Sequence, residues 1–128
     1  MHEALFVCLG GLLAALAVGL GAIGAHLLKP HLTPQQLETF HTAVQYQMYH
    51  ALGLILVGLA GWHRRSRWLD GAGWSMTVGI LFFSGLIYAW LATGRRCFIY
   101  PVPVGGVAFI VGWLMLAVGV AMGVKIPR

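Results

Sequence analysis

Residues 4–28 read ALFVCLGGLLAALAVGLGAIGAHLL, and His26 is the one strongly polar side chain among them. A run of this length can cross the roughly 30 Å hydrocarbon core of a bilayer as one tilted helix. A cleaved signal peptide is the rival interpretation, but no Lys or Arg precedes the run, and the run is longer than the apolar part of such peptides. We therefore expect a first transmembrane helix here.

Three more apolar runs follow, and short loops separate all four. Pro30 ends the first run, HRRSR (63–67) ends the second, Gly94 fits the C-cap of the third, and Pro103 lies at the start of the fourth. The expected spans cover about residues 4–28, 43–62, 72–92 and 104–124. They predict an all-α polytopic membrane protein whose single transmembrane domain, residues 1–128, is an antiparallel four-helix bundle.

The stretch HLTPQQLETFHTAVQYQMYH (31–50) is the most polar part of the chain. Thr33 fits a helix N-cap, with Pro34 at the first helical position and Gln36 placed to complete a capping box. Further residues recur at helical spacing: Leu37, Phe40, His41 and Val44. The pattern predicts a short interfacial amphipathic segment that runs into the second span.

The composition excludes several other classes of protein. Of 128 residues, 59% are hydrophobic and only 9% are charged, and the mean hydropathy is +0.84. A soluble domain, a disordered chain and a disulfide-stapled scaffold do not have this composition. The net charge of +5 does not indicate nucleic-acid binding, because the basic residues flank apolar runs and form no basic face. Cys8 and Cys97 are expected at opposite membrane faces, too far apart for a disulfide.

The basic residues also predict the orientation. Five lie on the side of both termini (Arg64, Arg65, Arg67, Lys125 and Arg128), and three lie on the other side (Lys29, Arg95 and Arg96). By the positive-inside rule, both termini are expected in the cytoplasm, with the protein in the cell inner (plasma) membrane.

Small residues at helical spacing are typical of close packing between membrane helices. The chain has 18 glycines, and three sets stand out: Gly11, Ala15 and Gly19; Ala17, Gly21 and Ala25; and Gly105, Gly112, Gly119 and Gly123. Either these sets pack the four helices of one chain together, or one of them mediates a homo-oligomer or contacts a partner membrane protein. Both interpretations stay open.

The middle of every span lacks Asp, Glu, Lys and Arg, which weighs against a proton pump or a voltage sensor. Softer polar residues and paired glycines are expected at one level, in the half of the bilayer opposite HRRSR. Tyr46, Gln47 and His50 share one helix face, and glycines at the start of the fourth span permit close approach. We predict a polar pocket formed by His26, Tyr46, Gln47, His50, Ser84, Tyr88, Gly105 and Gly106.

Each of these residues also has a purely structural interpretation. The tyrosines are typical of the membrane interface, His50 of an interhelical hydrogen bond, and His26 of a cap or a snorkelling side chain. A metal or haem between His26 and His50 lacks a third ligand. We therefore predict no metal and no cofactor.

Four motifs carry a family resemblance: GAIGAHLL (21–28), FHTAVQYQMYHALGL (40–54), LFFSGLIY (81–88) and PVGGVAFIVGW (103–113). With them the chain resembles the small inner-membrane proteins known as domain of unknown function 423. The resemblance implies a four-helix membrane protein without a settled biochemical role. It also implies that the residues that recur in the family correspond here to His26, Thr42, Tyr46, His50, Ser84, Gly85, Tyr88, Pro103, Gly105, Gly106 and Trp113. Leu86 and Val102 depart from it, where relatives often have a small or hydroxyl residue and a threonine.

The resulting functional prediction is a non-enzymatic accessory, scaffolding or lipid-binding subunit whose pocket opens to the outer leaflet. Arg95 and Arg96 are candidate contacts for a lipid phosphate, with membrane anchoring as the alternative. A small oligomeric transporter or channel is the second hypothesis, and a haem- or quinone-binding redox module is the third.

Overall fold

The computed structural model describes residues 2–123 and contains four long helices. All four are long and apolar enough to cross a membrane, the last together with the turn before it, and the described residues contain no strand. The prediction of an all-α four-helix membrane protein is therefore confirmed. The helices are α1 (Glu3–Leu28), α2 (Pro34–His63), α3 (Arg67–Thr93) and α4 (Val102–Ala121), with a 3₁₀ turn at Arg96–Phe98 before α4. Val124, Lys125 and Arg128, which the expected fourth span and the charge count include, lie outside the described residues.

The helix ends show why α2 and α3 begin before the expected spans. The Thr33 hydroxyl accepts a hydrogen bond from the Gln36 N–H at 3.1 Å, and Gln36 Oε1 accepts one from the Thr33 N–H at 3.0 Å. The predicted capping box thus starts α2 at Pro34, and the amphipathic segment forms its first turns. Ser66 caps α3 in a similar way through the Trp68 N–H. At the other end of α3, Gly94 has φ 70°, as expected of a left-handed C-cap.

Helix α2 lies at the centre of the bundle. It packs along α1 on one side and against α3 on another, whereas α4 packs mainly on α3. Core side chains from all four helices meet there, among them Phe6, Leu54, Met76 and Phe109. Because lipid is as apolar as these side chains, close packing rather than removal from water holds the helices together.

The small-residue sets differ in whether they pack the four helices together or face outward, where another chain could contact them. Gly105, Gly112 and Gly119 are buried against α3, so the α4 set packs the bundle itself. On α1, Ala17 is buried and Gly21 approaches Val44 of α2, whereas Ala25 is exposed. The set formed by Gly11, Ala15 and Gly19 faces outward, since all three residues are exposed. Contact of this set with another chain stays a prediction.

Two π-helical turns interrupt the regular helices, and the sequence pattern did not predict them. One is Gly24–Leu28 at the end of α1, and the other is Leu81–Gly85 in the middle of α3. Such turns alter which side chains face a neighbouring helix and occur often at functional sites. The second turn carries Phe83 and Ser84, and it lies against Gly105 near the start of α4.

Candidate functional site

Three of the predicted site residues form hydrogen bonds between helices. Gln47, only 2% exposed, donates from Nε2 to the Leu13 carbonyl of α1 at 2.9 Å and accepts the Tyr88 hydroxyl of α3 at 2.8 Å. The fully buried Ser84 donates its hydroxyl to the Ala43 carbonyl of α2 at 2.6 Å. We call Gln47, Ser84 and Tyr88 the hydrogen-bonded set. It links three helices and satisfies its own polar atoms, as a structural role requires.

His50 lies three residues after Gln47 on α2, and its surroundings are different. Its side chain is buried, at 4% exposure, and Nδ1 lies 2.6 Å from the Tyr46 carbonyl oxygen. The imidazole stacks on Phe109 of α4 with ring centroids 3.4 Å apart and an interplanar angle of 11°. Trp113, one turn further along α4, lies against it with centroids 5.8 Å apart. The ring is therefore held in one orientation by a backbone acceptor and by two aromatic side chains.

A cleft of about 570 Å³ opens beside His50, between α2, the π-helical turn of α3 and α4. Its lining is mostly aromatic and aliphatic, and its polar side-chain groups are the imidazole of His50 and the hydroxyls of Tyr46 and Tyr49. We call it the aromatic cleft, and it is lined by Tyr46, Tyr49, His50, Phe83, Gly106, Phe109, Ile110 and Trp113. A Cβ on Gly106 would meet no atom within 4 Å, so the absence of a side chain there leaves the cleft open.

Among the described residues, the imidazole of His50 has one nitrogen, Nε2, without a hydrogen-bond partner. Within residues 2–123, the only hydrogen bond of the imidazole is the one from Nδ1. No buried side-chain nitrogen or oxygen in this range lacks a partner, so Nε2 must reach an accessible surface. The aromatic cleft is the cavity that His50 lines.

The structure divides the predicted pocket residues into separate places. Tyr46, His50 and Gly106 line the aromatic cleft, whereas Gln47, Ser84 and Tyr88 form the hydrogen-bonded set. Gly105 packs against the backbone of α3 at Phe83. The two sets share α2, but they lie on different sides of it.

His26 does not join either set. It is exposed, in the π-helical turn that ends α1. Two residues earlier, Gly24 packs against the Phe40 ring of α2. Because residues two apart point to roughly opposite sides of a helix, the contact of Gly24 with α2 turns His26 outward.

Arg95 and Arg96 are exposed in the loop between α3 and α4. Arg96 borders a shallow depression of its own, with Trp90, Ile99 and Tyr100. Neither arginine lines the aromatic cleft. Among the described residues, no three His, Cys, Asp or Glu side chains are grouped as metal ligands.

The predicted pocket did not include Phe83, Phe109 or Ile110 of this lining, although part of the lining has a sequence signal. Gly106, Phe109, Ile110 and Trp113 recur at i, i+3, i+4 and i+7, so they share one face of α4. Phe83 carries no comparable signal, since the π-helical turn decides where it points.

A smaller cleft of about 210 Å³ lies near the C-terminal end of α1. It is apolar apart from Tyr88, whose hydroxyl is already bonded to Gln47. Its lining residues are Leu20, Leu28, Leu32, Phe40, Tyr88, Leu91 and Ala92. Without an open polar atom, this cleft offers a ligand only apolar contact.

The fold defines a polytopic helical membrane protein with one aromatic cleft beside its central helix. A family model described as a protein of unknown function (DUF423) matches residues 20–106, and the chain belongs to this family. It is 45% identical to a UPF0382 membrane protein of Staphylococcus saprophyticus, over 89% of this chain and 94% of the relative. It is 46% identical to the UPF0382 membrane protein YwdK of Bacillus subtilis, over 88% and 93%. No solved structure gives a significant match.

Proposed function

We propose that the protein is a non-enzymatic membrane subunit that binds one membrane lipid in the aromatic cleft. The observation that carries the proposal is the cleft itself, with its volume of about 570 Å³ and its largely apolar lining. Pockets that bind small molecules typically have volumes of roughly 300–1,000 Å³, mostly apolar walls and a few placed polar groups. This cleft has those properties on a helix face that a bilayer would surround.

The edge of the cleft supports a lipid rather than a water-soluble ligand. Tyr49 and Trp113 border it with 53% and 39% of their surface exposed, and the neighbouring Val107 and Ile110 are exposed as well. In a bilayer these side chains would face acyl chains, so a lipid would enter sideways without crossing water. Gly106 leaves the space that a chain would occupy.

The two arginines extend the proposal to the head group of a phospholipid that lies next to the cleft. Arg95 and Arg96 precede α4, and Gly106 lies only about one turn into that helix. The Gly106 end of the cleft therefore faces the same side of the molecule as the arginines. A phospholipid of the bilayer beside the cleft would have its phosphate within reach of this loop, where guanidinium groups are good partners.

The test compares two glycines that both have free space around them. A Cβ at Gly106 or at Gly11 would meet no atom within 4 Å, but only Gly106 lines the cleft. In native mass spectrometry of protein extracted from its membrane, Gly106→Leu is expected to lose the co-purified lipid, and Gly11→Leu is expected to keep it. Equal lipid retention in both variants would count against the cleft as the binding site.

The loop arginines have a test of their own. With Arg95→Ala and Arg96→Ala combined, an anionic phospholipid is expected to be lost more readily than a neutral lipid, because only the phosphate contact disappears. Unchanged retention of both lipids would indicate that the arginines only anchor the loop at the membrane.

The proposed location is the cell inner membrane, with both termini in the cytoplasm. The exposed Cys97 lies in the α3–α4 loop, which this orientation places outside the cell. A membrane-impermeant maleimide added to intact spheroplasts is expected to label Cys97. Labelling that requires lysis of the spheroplasts would reverse the orientation. A Cys97→Ser variant identifies the label, since Cys8 lies within α1.

A further inference from the structure

We propose that the lipid bound in the aromatic cleft is a lipid alcohol, aliphatic or phenolic, whose hydroxyl donates a hydrogen bond to Nε2 of His50. This inference rests on the proposed function and adds the chemical class of the ligand. It starts from an asymmetry among the buried polar side chains of the spans. Gln47 and Ser84 have partners within the chain, whereas His50 keeps one nitrogen open.

The hydrogen bond at Nδ1 decides the chemistry of Nε2. A backbone carbonyl oxygen can only accept, so the Nδ1 atom, 2.6 Å from the Tyr46 oxygen, must carry the proton. In the neutral imidazole, Nε2 is then unprotonated and accepts a hydrogen bond. A second proton would place a cation on a buried ring stacked on Phe109, which an apolar environment opposes. The cleft therefore presents an acceptor and selects for a ligand with a donor.

The depth of His50 in the membrane limits which classes of ligand can supply the hydrogen-bond donor. His50 lies near the middle of α2, and the cleft around it is lined by side chains that would sit within the hydrocarbon region. A phospholipid keeps its charged head group at the membrane surface, and its ester oxygens cannot donate. A neutral lipid with a hydroxyl as its main polar group can carry a donor to this depth at a low desolvation cost.

The aromatic surroundings suit such a ligand. Phe109 covers one face of the imidazole, so a ligand approaches Nε2 along the edge of the ring. Tyr46 and Phe83, with ring centroids 4.8 Å apart, form an aromatic wall of the same cleft. These surfaces can pack against an acyl or prenyl chain, or against the ring of a phenol.

The experiment compares each donor with its methylated counterpart on the full-length protein in lipid nanodiscs. The probes are a diacylglycerol and its methyl ether, and a prenylated hydroquinone and its dimethyl ether, with phosphatidylethanolamine as the phospholipid reference. We expect at least one alcohol to bind about 10-fold more tightly than its ether, as one hydrogen bond in an apolar site provides. The arm that shows this preference identifies the hydroxyl as aliphatic or phenolic.

Variants assign the preference to one atom. His50→Phe keeps a flat ring but removes the acceptor, so the alcohol and its ether are expected to bind equally. His26→Phe is the matched control on an exposed histidine, and it is expected to keep the preference. Gly106→Leu is expected to weaken both members of each pair, because it fills the cleft. If His50→Phe fails to fold, ¹⁵N NMR of the wild-type protein gives the same information, since a bound alcohol should shift the His50 Nε2 resonance and its ether should not.

The outcomes separate this inference from the proposed function. Equal affinity of wild-type protein for alcohol and ether would overturn the inference, while lipid binding in the cleft would stand. If no lipid binds, both fail. A Soret absorption band in the purified protein that is lost in His50→Phe would also overturn the inference, because Nε2 would then ligate a haem iron.

Discussion

Helix α2 meets α1 and α4 in opposite ways. Toward α1, glycines bring the two backbones together, and a Cβ on Gly10 would lie only 2.5 Å from the Ala51 carbonyl oxygen. Toward α4, the rings of His50, Phe109 and Trp113 stand between the helices and border the aromatic cleft. Close backbones leave carbonyl groups within reach of a side chain, whereas intervening rings do not.

This contrast explains why the side chains of Gln47 and His50 differ in their hydrogen-bond partners. They are three residues apart on one helix, yet Gln47 reaches a carbonyl of α1 and the Tyr88 hydroxyl, while the His50 ring stacks on Phe109 and its Nε2 has no partner among the described residues. The contact with α1 is closed and internally satisfied. The contact with α4 leaves one hydrogen bond for a ligand to make. Three pairs of substitutions test this comparison.

The largest effect is expected from Gly10→Leu at the closed interface. The added side chain meets the Ala51 carbonyl and the Ile55 side chain, so α1 must move away from α2. We expect a loss of about 3 kcal/mol in the free energy of unfolding, the upper part of the usual range for overpacking. Unfolding in mixed micelles of increasing denaturing-detergent content measures it.

Gly11→Leu is the control for this substitution. It adds the same side chain one residue later, where a Cβ meets nothing within 4 Å. A similar loss in both variants would mean that leucine at this level of α1 is harmful for a reason other than contact with α2.

A smaller effect is expected from Gln47→Leu. The change removes two interhelical hydrogen bonds and leaves the Tyr88 hydroxyl without its partner. We expect a loss of about 1–2 kcal/mol, since such bonds contribute about 0.6 kcal/mol each on average in membrane proteins and an orphaned hydroxyl adds a cost. The same unfolding assay detects it.

Tyr88→Phe completes a double-mutant cycle with Gln47→Leu. The two losses should not add, because either change removes the bond from the Tyr88 hydroxyl to Gln47. Full additivity would show that the two side chains do not interact.

The smallest effect is expected from Gly106→Ala at the open cleft. Its Cβ meets no atom within 4 Å, so stability should stay within about 0.5 kcal/mol of wild type. Gly105→Ala, one residue earlier, should be clearly destabilising, because its Cβ would collide with the α3 backbone at Phe82 and Phe83. If both variants behave alike in thermal unfolding, α4 does not have the orientation on which the cleft depends.

Parts of the fold could be predicted because they depend on interactions between residues that are close in the sequence. The capping box at Thr33 and Gln36 and the left-handed Gly94 depend on a few neighbouring residues, and the structure has both. The outward turn of His26 could not be predicted in this way. It depends on the Gly24–Phe40 contact and on a π-helical turn, which involve a second helix.

The candidate site shows the same limit. The sequence placed Tyr46, Gln47 and His50 on one face of α2, but it did not indicate that Gln47 would reach α1 while His50 would stack on α4. Phe109 was missed although its spacing from Gly106 and Trp113 is regular, because aromatic residues in an apolar span are also expected to face lipid.

The amino-acid sequence alone determined that the chain forms four membrane-spanning helices, because length and apolarity decide whether a segment crosses a bilayer. Only the tertiary structure decided which face of each helix meets a neighbour. Helix α4 is apolar on nearly every side, and lipid and protein interior are about equally apolar, so no hydrophobic pattern marks its inner face. The shapes of glycines and aromatic rings determine which face of each helix packs against its neighbour. They leave His50 with a free acceptor beside a cleft.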